Sequence, residues 1–248
     1  MITIKDTYNE AVIFAQSMDS GAQGLIRAMC ASPVFSDSVI RIMPDVHAGK
    51  GCAVGTTMTV HDRVSPGLVG SDIGCGMTVV KLGNKRLELP RLDKVIREKI
   101  PAGSAVRPKP HRFAEETRLD DLHCFRQIKE EKALRSVGTL GGGNHFIEVD
   151  RDGKGSYWLI IHSGSRHLGA EVAGHYQQEA FRQGPDGVPY EFAFATGALM
   201  ADYLHDMKLV QQFAELNRRA IVDEIIKGMK LDVEDSFLPS TTTSTLTA

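Results

Sequence analysis

Asp72 and Cys75 stand at i and i+3 in the turn Ser71-Asp-Ile-Gly-Cys-Gly76, and His145 and Glu148 close the glycine-rich run Gly141-Gly-Gly-Asn-His-Phe-Ile-Glu148. A further imidazole, His162, opens His162-Ser-Gly-Ser-Arg166. Carboxylate, thiolate and imidazole are the side chains that bind transition metals, and glycine-rich turns let backbone approach a ligand closely. Taken singly, an Asp-x-x-Cys is ordinarily a turn-capping aspartate with a buried thiol, and a lone histidine a hydrogen-bonded structural residue. Taken together, Asp72, Cys75, His145 and His162 predict a metal centre. Ligand softness alone points that centre toward zinc.

Other residues suggest what such a centre would act on. Asp45 and His47, in Met43-Pro-Asp-Val-His-Ala-Gly-Lys-Gly51, read either as further ligands, as partners that hold a ligand in one orientation, or as parts of an ordinary turn. Asn144 and the amides of Gly141 to Gly143 would cradle an anion such as phosphate, or form a plain tight turn before a strand. Arg166 carries paired donors that match phosphate oxygens, and otherwise reads as a surface salt bridge. The chain has no P-loop, no dinucleotide fingerprint and no Gly-x-Ser-x-Gly nucleophile elbow, so any nucleotide is held in another way.

The elements that must place these side chains follow from periodicity. Apolar spacing over Tyr8–Met29 predicts two helices joined at Asp19-Ser20-Gly21. Strands are expected over Ser38–Met43, Ala53–Val60 and Met77–Lys81, with Pro44–Cys52 a loop. Helices are expected over Leu89–Lys99, Phe113–Leu134, Ala170–Arg182 and Gly197–Lys230, the last with Leu199, Met200, Tyr203, Leu204 and Met207 on one stripe. The basic, proline-broken run Arg107–Arg112 reads as a solvated linker. His145–Val149 and Ser156–Ile161, joined by Asp150-Arg-Asp-Gly-Lys-Gly155, read as a hairpin pairing position 145 with 162. Directly opposed residues share a face with Cβ atoms about 5 Å apart, whereas a one-residue slip would separate the two imidazoles.

Bulk properties set the boundaries. A chain of 248 residues with 42% hydrophobic content can bury a substantial core. Its 29 basic and 31 acidic residues give a net charge of -2, so no global basic field points to nucleic acid and any RNA contact would be local. Cys30, Cys52, Cys75 and Cys124 show no close paired spacing, and the start resembles no signal peptide, which suggests thiols in a reducing cytoplasm. No apolar run approaches the ~20 residues of a membrane span.

The motifs Met43-Pro-Asp-Val-His-Ala-Gly-Lys-Gly51, Val69-Gly-Ser-Asp-Ile-Gly-Cys-Gly-Met77, Gly138-Thr-Leu-Gly-Gly-Gly-Asn-His-Phe-Ile-Glu-Val149 and His162-Ser-Gly-Ser-Arg166, with Phe213-Ala214-x-x-Asn217-Arg218 later, occur in this order. Together they closely resemble the RtcB family of RNA-splicing ligases, from near the N-terminus to about Ser236. The resemblance implies an α+β, RtcB-like fold represented by its N-terminal portion, with mixed sheets and flanking helices over residues 1–236. It implies a ligase that joins RNA 2',3'-cyclic-phosphate or 3'-phosphate ends to 5'-hydroxyl ends, using GTP and manganese through a guanylylated histidine. Asp72, Cys75 and His145 would then hold one manganese, and Cys75 and His162 the other. Asn144 would contact the GMP phosphate, Glu148 the nucleotide and Arg166 an RNA phosphate. The implied partners are RNA ends, GTP and an activator of the archease type.

The family's nucleophilic histidine lies in a Ser-His-Gly-Ala-Gly-Arg-like motif, and a remaining ligand in a His-Asn-Tyr motif; neither occurs here. Read one base out of frame from the end of the Phe237 codon, the tail Leu238–Ala248 can encode Ser-Thr-Ile-His-Asn-Tyr-Ile-Asp, the family's continuation. The expectation is a frameshifted, prematurely ended member with residues 237–248 as an aberrant tail, unable to form the guanylylated intermediate. A natural threonine-rich disordered tail is the alternative. Two other functions use only the ligands present: a metal-dependent phosphoester hydrolase attacking through metal-bound water, and a catalytically silent RNA-end-binding or metal-binding protein.

Overall fold

The computed structural model describes residues 1–83, 86–233 and 235–237, and its class is α+β. In chain order the strands are β1 (Ile2–Lys5), β2 (Glu10–Ile13), β3 (Ile40–Ala48), β4 (Ala53–Met58), β5 (Arg63–Val64), β6 (Gly76–Gly83), β7 (Phe146–Arg151), β8 (Tyr157–Ser163), β9 (Ala195–Thr196) and β10 (Asp235–Phe237). The helices are α1 (Ser20–Cys30), α2 (Pro66–Val69), α3 (Leu89–Lys99), α4 (Glu130–Ser136), α5 (Arg166–Gln183) and α6 (Gly197–Met229). Two compact units are formed, one from Met1–Gly70 with Tyr176–Tyr203, the other from Ser71–His175 with the described residues of 204–237. No helix among the described residues is long and apolar enough to cross a membrane. Residues 238–248 of the expected tail lie outside the described residues.

The first unit is a four-stranded sheet in the order β1-β2-β3-β4, covered by α1. Only one of the two helices expected over Tyr8–Met29 forms. Glu10-Ala-Val-Ile13 is instead β2, antiparallel to β1 and parallel to β3, because alternation of exposed Glu10 with buried Ala11 and Ile13 suits a pleated surface. Asp19 ends the link and starts α1, its carboxylate accepting the Ala22 amide at 2.8 Å and the Ala48 amide at 3.1 Å. Ile26 and Met29 of α1 pack on Ile13, Ile40 and Ile42, all fully buried. Pro44 does not end β3 as expected. The strand continues to Ala48 through an irregularity between Ile42 and His47, where Pro44 is tolerated without a ladder amide.

In the second unit the sheet runs β10-β6-β8-β7, all antiparallel. Val80, Leu159 and Ile161 on its inner face meet Ile221 and Ile225 of α6 and Leu92 and Val95 of α3. The α3 range matches the periodicity reading, and α6 differs from it by one residue at its end. Gly228 lets α3 and α6 approach, since a Cβ there would fall 2.5 Å from Val95 Cγ1.

The single helix expected over Phe113–Leu134 is not formed. Short 3-10 turns at Arg112–Glu116, Leu119–Asp121 and Phe125–Gln127 precede α4. Here partners on α6 outcompete local helix propensity. The run expected to be a solvated linker is ion-paired to that helix: Arg107 to Glu224 at 2.6 Å and Arg112 to Asp223 at 2.7 Å. Phe113 sits between the guanidinium groups of Arg112 and Arg219, 4.7 and 4.8 Å from its ring centre. His111 is buried beside Asp223 and Glu224, and its Nδ1 accepts the Phe113 amide at 3.2 Å.

Helix propensity alone would make Gly228→Ala stabilising by about 1 kcal/mol. Contact with Val95 reverses the sign, and a loss of about 1–3 kcal/mol is expected from overpacking. Urea denaturation checks this, with Val95→Ala combined with Gly228→Ala less destabilised than the sum of the two single variants. A second expectation concerns pH. Burial, aided by Arg107, holds His111 below its usual value of 6.5, so the folded chain binds fewer protons than the unfolded one and stability falls as pH drops through about 6.5. His162 and His167, also lowered by burial, share this window, whereas Asp223, lowered from 3.8 because its Lys227 and Arg112 contacts outweigh burial, loses its contribution only in stronger acid. His111→Asn keeps an acceptor for the Phe113 amide and should flatten the slope of the urea midpoint between neutral pH and pH 5; an unchanged slope would remove His111 from this account.

Candidate metal centre

Cys75 is the last residue before β6, and His162 is the penultimate residue of β8. The register pairs Met77 with His162 and Gly76 with Ser163. Cys75 directly precedes Gly76 in this register, which sets it beside the end of β8 that carries His162. Their side chains meet, with Cys75 Sγ 3.4 Å from His162 Nε2.

His145 reaches the same place by a different route from the one expected. The hairpin pairs Phe146, not position 145, with His162. In a continuous strand that slip would send His145 to the opposite face. His145 instead lies just outside β7, where its Nδ1 faces the Leu140 carbonyl at 2.9 Å, and Ser163 Oγ donates to that same carbonyl at 2.8 Å. This turns Nε2 toward Cys75 Sγ, 3.5 Å away, and Asp72 Oδ2, 2.7 Å away. Phe146 lies over the His162 ring at a centroid distance of 5.5 Å.

Asp72 is fixed by close backbone approach. Its Oδ1 accepts the Ser165 amide at 3.1 Å, and a Cβ on Gly164 would collide with the carboxylate. Gly164 in His162-Ser-Gly-Ser-Arg166 is therefore a requirement of the Asp72 seat. Arg166 begins α5 with a left-handed φ of 59°, an unfavourable conformation for a side-chain-bearing residue. Its guanidinium donates to Gly103 O at 2.9 Å and Thr139 Oγ1 at 3.2 Å, and it passes over Gly141, where no Cβ would fit. The surface salt bridge considered for Arg166 is thus replaced by an internally bonded guanidinium beside His145.

Burial and mutual charge shift the titration of these side chains. Burial pushes the Cys75 thiol up to about 12, and the neighbouring Asp72 carboxylate adds to this. Burial raises Asp72, but hydrogen bonding and charge from His145 outweigh it and leave the carboxyl below 3.8. His162 is lowered by burial and by His145, and its Nδ1 is buried without a hydrogen-bond partner. With Nδ1 of His145 directed at a carbonyl, its Nε2 is the ring nitrogen that faces Asp72 and Cys75. The donor set fits a divalent metal: Cys75, His145 and His162 each offer a ligand atom within 4.8 Å of the others, and Asp72 is hydrogen-bonded to two of them.

Asn144 is exposed beside His145, and Glu148 is exposed on β7, two residues beyond Phe146 and on the same face. Asp45 and His47 are exposed on β3 in the first unit, where His47 Nδ1 lies 2.7 Å from Asp45 O. Residue types did not identify the positioning roles of Asn217 and Arg218, although both fall in the late motif. Asn217, fully buried on α6, accepts the Gly138 and Thr139 amides at 2.8 and 3.0 Å and donates to Ser163 Oγ and Gly164 O at 3.1 and 3.0 Å. Arg218 Nη1 donates to Gly74 O at 2.8 Å and Ser163 O at 2.9 Å, tying the turns that carry Asp72, Cys75 and His162. Asn217→Ala is expected to cost at least about 2 kcal/mol in urea denaturation, since buried backbone groups lose their partners. It should also weaken divalent-metal uptake in calorimetry although Asn217 touches no proposed ligand.

The family model described as "tRNA-splicing ligase RtcB" matches residues 26–123 and 110–242. An RNA-splicing ligase RtcB1 of Escherichia coli ATCC 25922 is 29% identical over 218 residues, covering 77% of this chain and 53% of that protein. RNA-splicing ligase RtcB of E. coli K12 gives the same identity and coverage, 29%, 77% and 53%. A tRNA-splicing ligase RtcB of Aeropyrum pernix is 28% identical over 246 residues, covering 73% and 50%. The chain spans about half the length of the curated relatives it matches. The site motifs and the extent of the match place this chain in the RtcB family.

Proposed function

We propose that the chain contributes the metal and nucleotide half of a GTP- and manganese-dependent RNA ligase, which joins 2',3'-cyclic-phosphate or 3'-phosphate ends to 5'-hydroxyl ends. The observation that carries this reading is the convergence of Cys75, His145, His162 and Asp72 at the ends of β6, β7 and β8 in a chain of this family. Asp72, Cys75 and His145 would hold one cation, and Cys75 would share a second with His162. When bound, the cations would offset charge on a transferring phosphoryl group. Asn144 contacts the nucleotide phosphate, Glu148 the rest of the nucleotide, and Arg166 orients an RNA phosphate. RNA ends are the substrate, an archease-type protein the activator, and the cytoplasm the place of action, in keeping with cysteines present as thiols.

These residues bind and orient, but the 248 residues contain no motif of the Ser-His-Gly-Ala-Gly-Arg type to supply the nucleophilic histidine. Labelled GTP should therefore be retained by this chain in the presence of manganese and lost on denaturation, with retention abolished by Cys75→Ser. Label that survives denaturation would show that a nucleophile exists within these residues. Manganese binding without GTP retention would sink the ligase reading: phosphodiester turnover under those conditions would support a hydrolase, and RNA affinity without turnover a binding protein.

A further inference from the structure

A second cluster of side chains that could hold a metal lies on the same unit, on elements that carry none of the proposed ligase ligands. His123 and Cys124 occupy the bend between two 3-10 turns, and His205 and Asp206 lie on α6. Asp206 is fully buried, an unusual place for a carboxylate, and its orientation is fixed by the backbone: Oδ1 accepts the His123 amide at 2.8 Å and Oδ2 the Cys124 amide at 3.0 Å. His205 Nδ1 lies 3.1 Å from Asp206 Oδ1. The His123 and His205 rings stand at 76° to one another with centroids 4.5 Å apart. One ring nitrogen from each histidine and one Asp206 oxygen all fall within 4.8 Å of one another.

We infer that His123, His205 and Asp206 form a separate binding site for a borderline first-row divalent cation, of which zinc is the best fit. Two imidazoles and one carboxylate are a zinc donor set, with water filling the remaining position. Ligand atoms around tetrahedral zinc lie about 3.4 Å apart at normal bond lengths, so a small rotation of the exposed rings completes the site. Both histidines are exposed, which gives the ion a path from solvent, and the buried carboxylate supplies a rigid anchor. The order of divalent affinities favours zinc over manganese for such ligands. The bound ion would join the 3-10 bend to α6 by metal bonds where hydrogen bonds now hold it. Its role is to stabilise this junction, and the inference stands or falls independently of the ligase reading.

The test is calorimetric titration of the full metal-free chain with zinc, followed by thermal unfolding. A Cys75→Ser/His145→Ala/His162→Ala variant should still take up one zinc and unfold at higher temperature when zinc is present. Adding His123→Ala and His205→Ala should abolish both effects. His123→Ala alone should weaken that zinc at least about 10-fold, since even outer partners of a metal ligand cost that much. Should the triple variant fail to fold, the comparison is between the wild-type chain and His123→Ala/His205→Ala, whose replaced side chains are exposed, with a loss of one zinc expected. No zinc uptake by a folded triple variant, or unchanged uptake when His123 and His205 are removed, overturns the inference.

Discussion

One face of α6 supplies hydrogen bonds that the segment from Pro101 to His145 cannot supply for itself. That segment contains only α4 and short 3-10 turns, yet much of it packs against the protein, and buried amides must find acceptors. Asp206 and Asn217, about three helical turns apart and so on the same side of α6, solve this in the same way. Each turns a buried side-chain carbonyl or carboxylate toward two consecutive amides, those of His123 and Cys124 and those of Gly138 and Thr139. Farther along, Arg219, Asp223 and Glu224 pair with Glu116, Arg112 and Arg107. The convergence of His145 on Cys75 and Asp72 follows from this bracing, because Leu140, which directs His145, lies directly after the amides that Asn217 holds.

Arg218 shows how the bracing and the site chemistry are coupled. Burying a guanidinium is costly unless its charge and donors are compensated. Carbonyls of Gly74 and Ser163 accept from it, and the negative charges of Glu215 and Asp72 work against the lowering of its pKa by burial. Its charge favours the Cys75 thiolate, but burial and Asp72 prevail, so the thiol keeps its proton up to about pH 12 in the metal-free chain. A second positive charge at the thiol is what would tip that balance. The same arrangement therefore holds a protonated site together and prepares it for a cation.

Much of the second unit was legible because its pattern was long or strictly alternating. Helix α3 has a proline in its first turn and regular apolar spacing, and α6 keeps a recurring apolar pattern over more than thirty residues; both were read within a residue. The failures are short or contested segments. Glu10–Ile13 carries too few residues to separate period 2 from period 3.6, and its partners, β1 and β3, decide the matter. Phe113–Leu134 has helix-forming composition, but Asp206 and Arg219, about eighty to a hundred positions away in sequence, offer partners to the His123 and Cys124 amides and to Glu116 in a chain bent into 3-10 turns. Local propensity carries no information about such partners.

The residues that converge at the candidate centre stood out in the sequence as residue types and not as geometry, and the histidine pair explains why. Pairing His145 with His162 across a hairpin was the simplest way to bring two imidazoles together, and it requires a register that the chain does not adopt. Slip by one residue puts Phe146 opposite His162, where a ring covers the imidazole, and leaves His145 outside the ladder. A residue outside the ladder is no longer bound by alternation, so its direction is set by whatever its ring can bond, here the Leu140 carbonyl. The result gives the candidate centre one imidazole on a rigid strand, His162, and one on a braced turn, His145. Convergence thus depends on bonds made by Ser163, Asn217 and Arg218, none of which is a metal-binding residue type, and for that reason composition and spacing single out the candidate donors but not what brings them together.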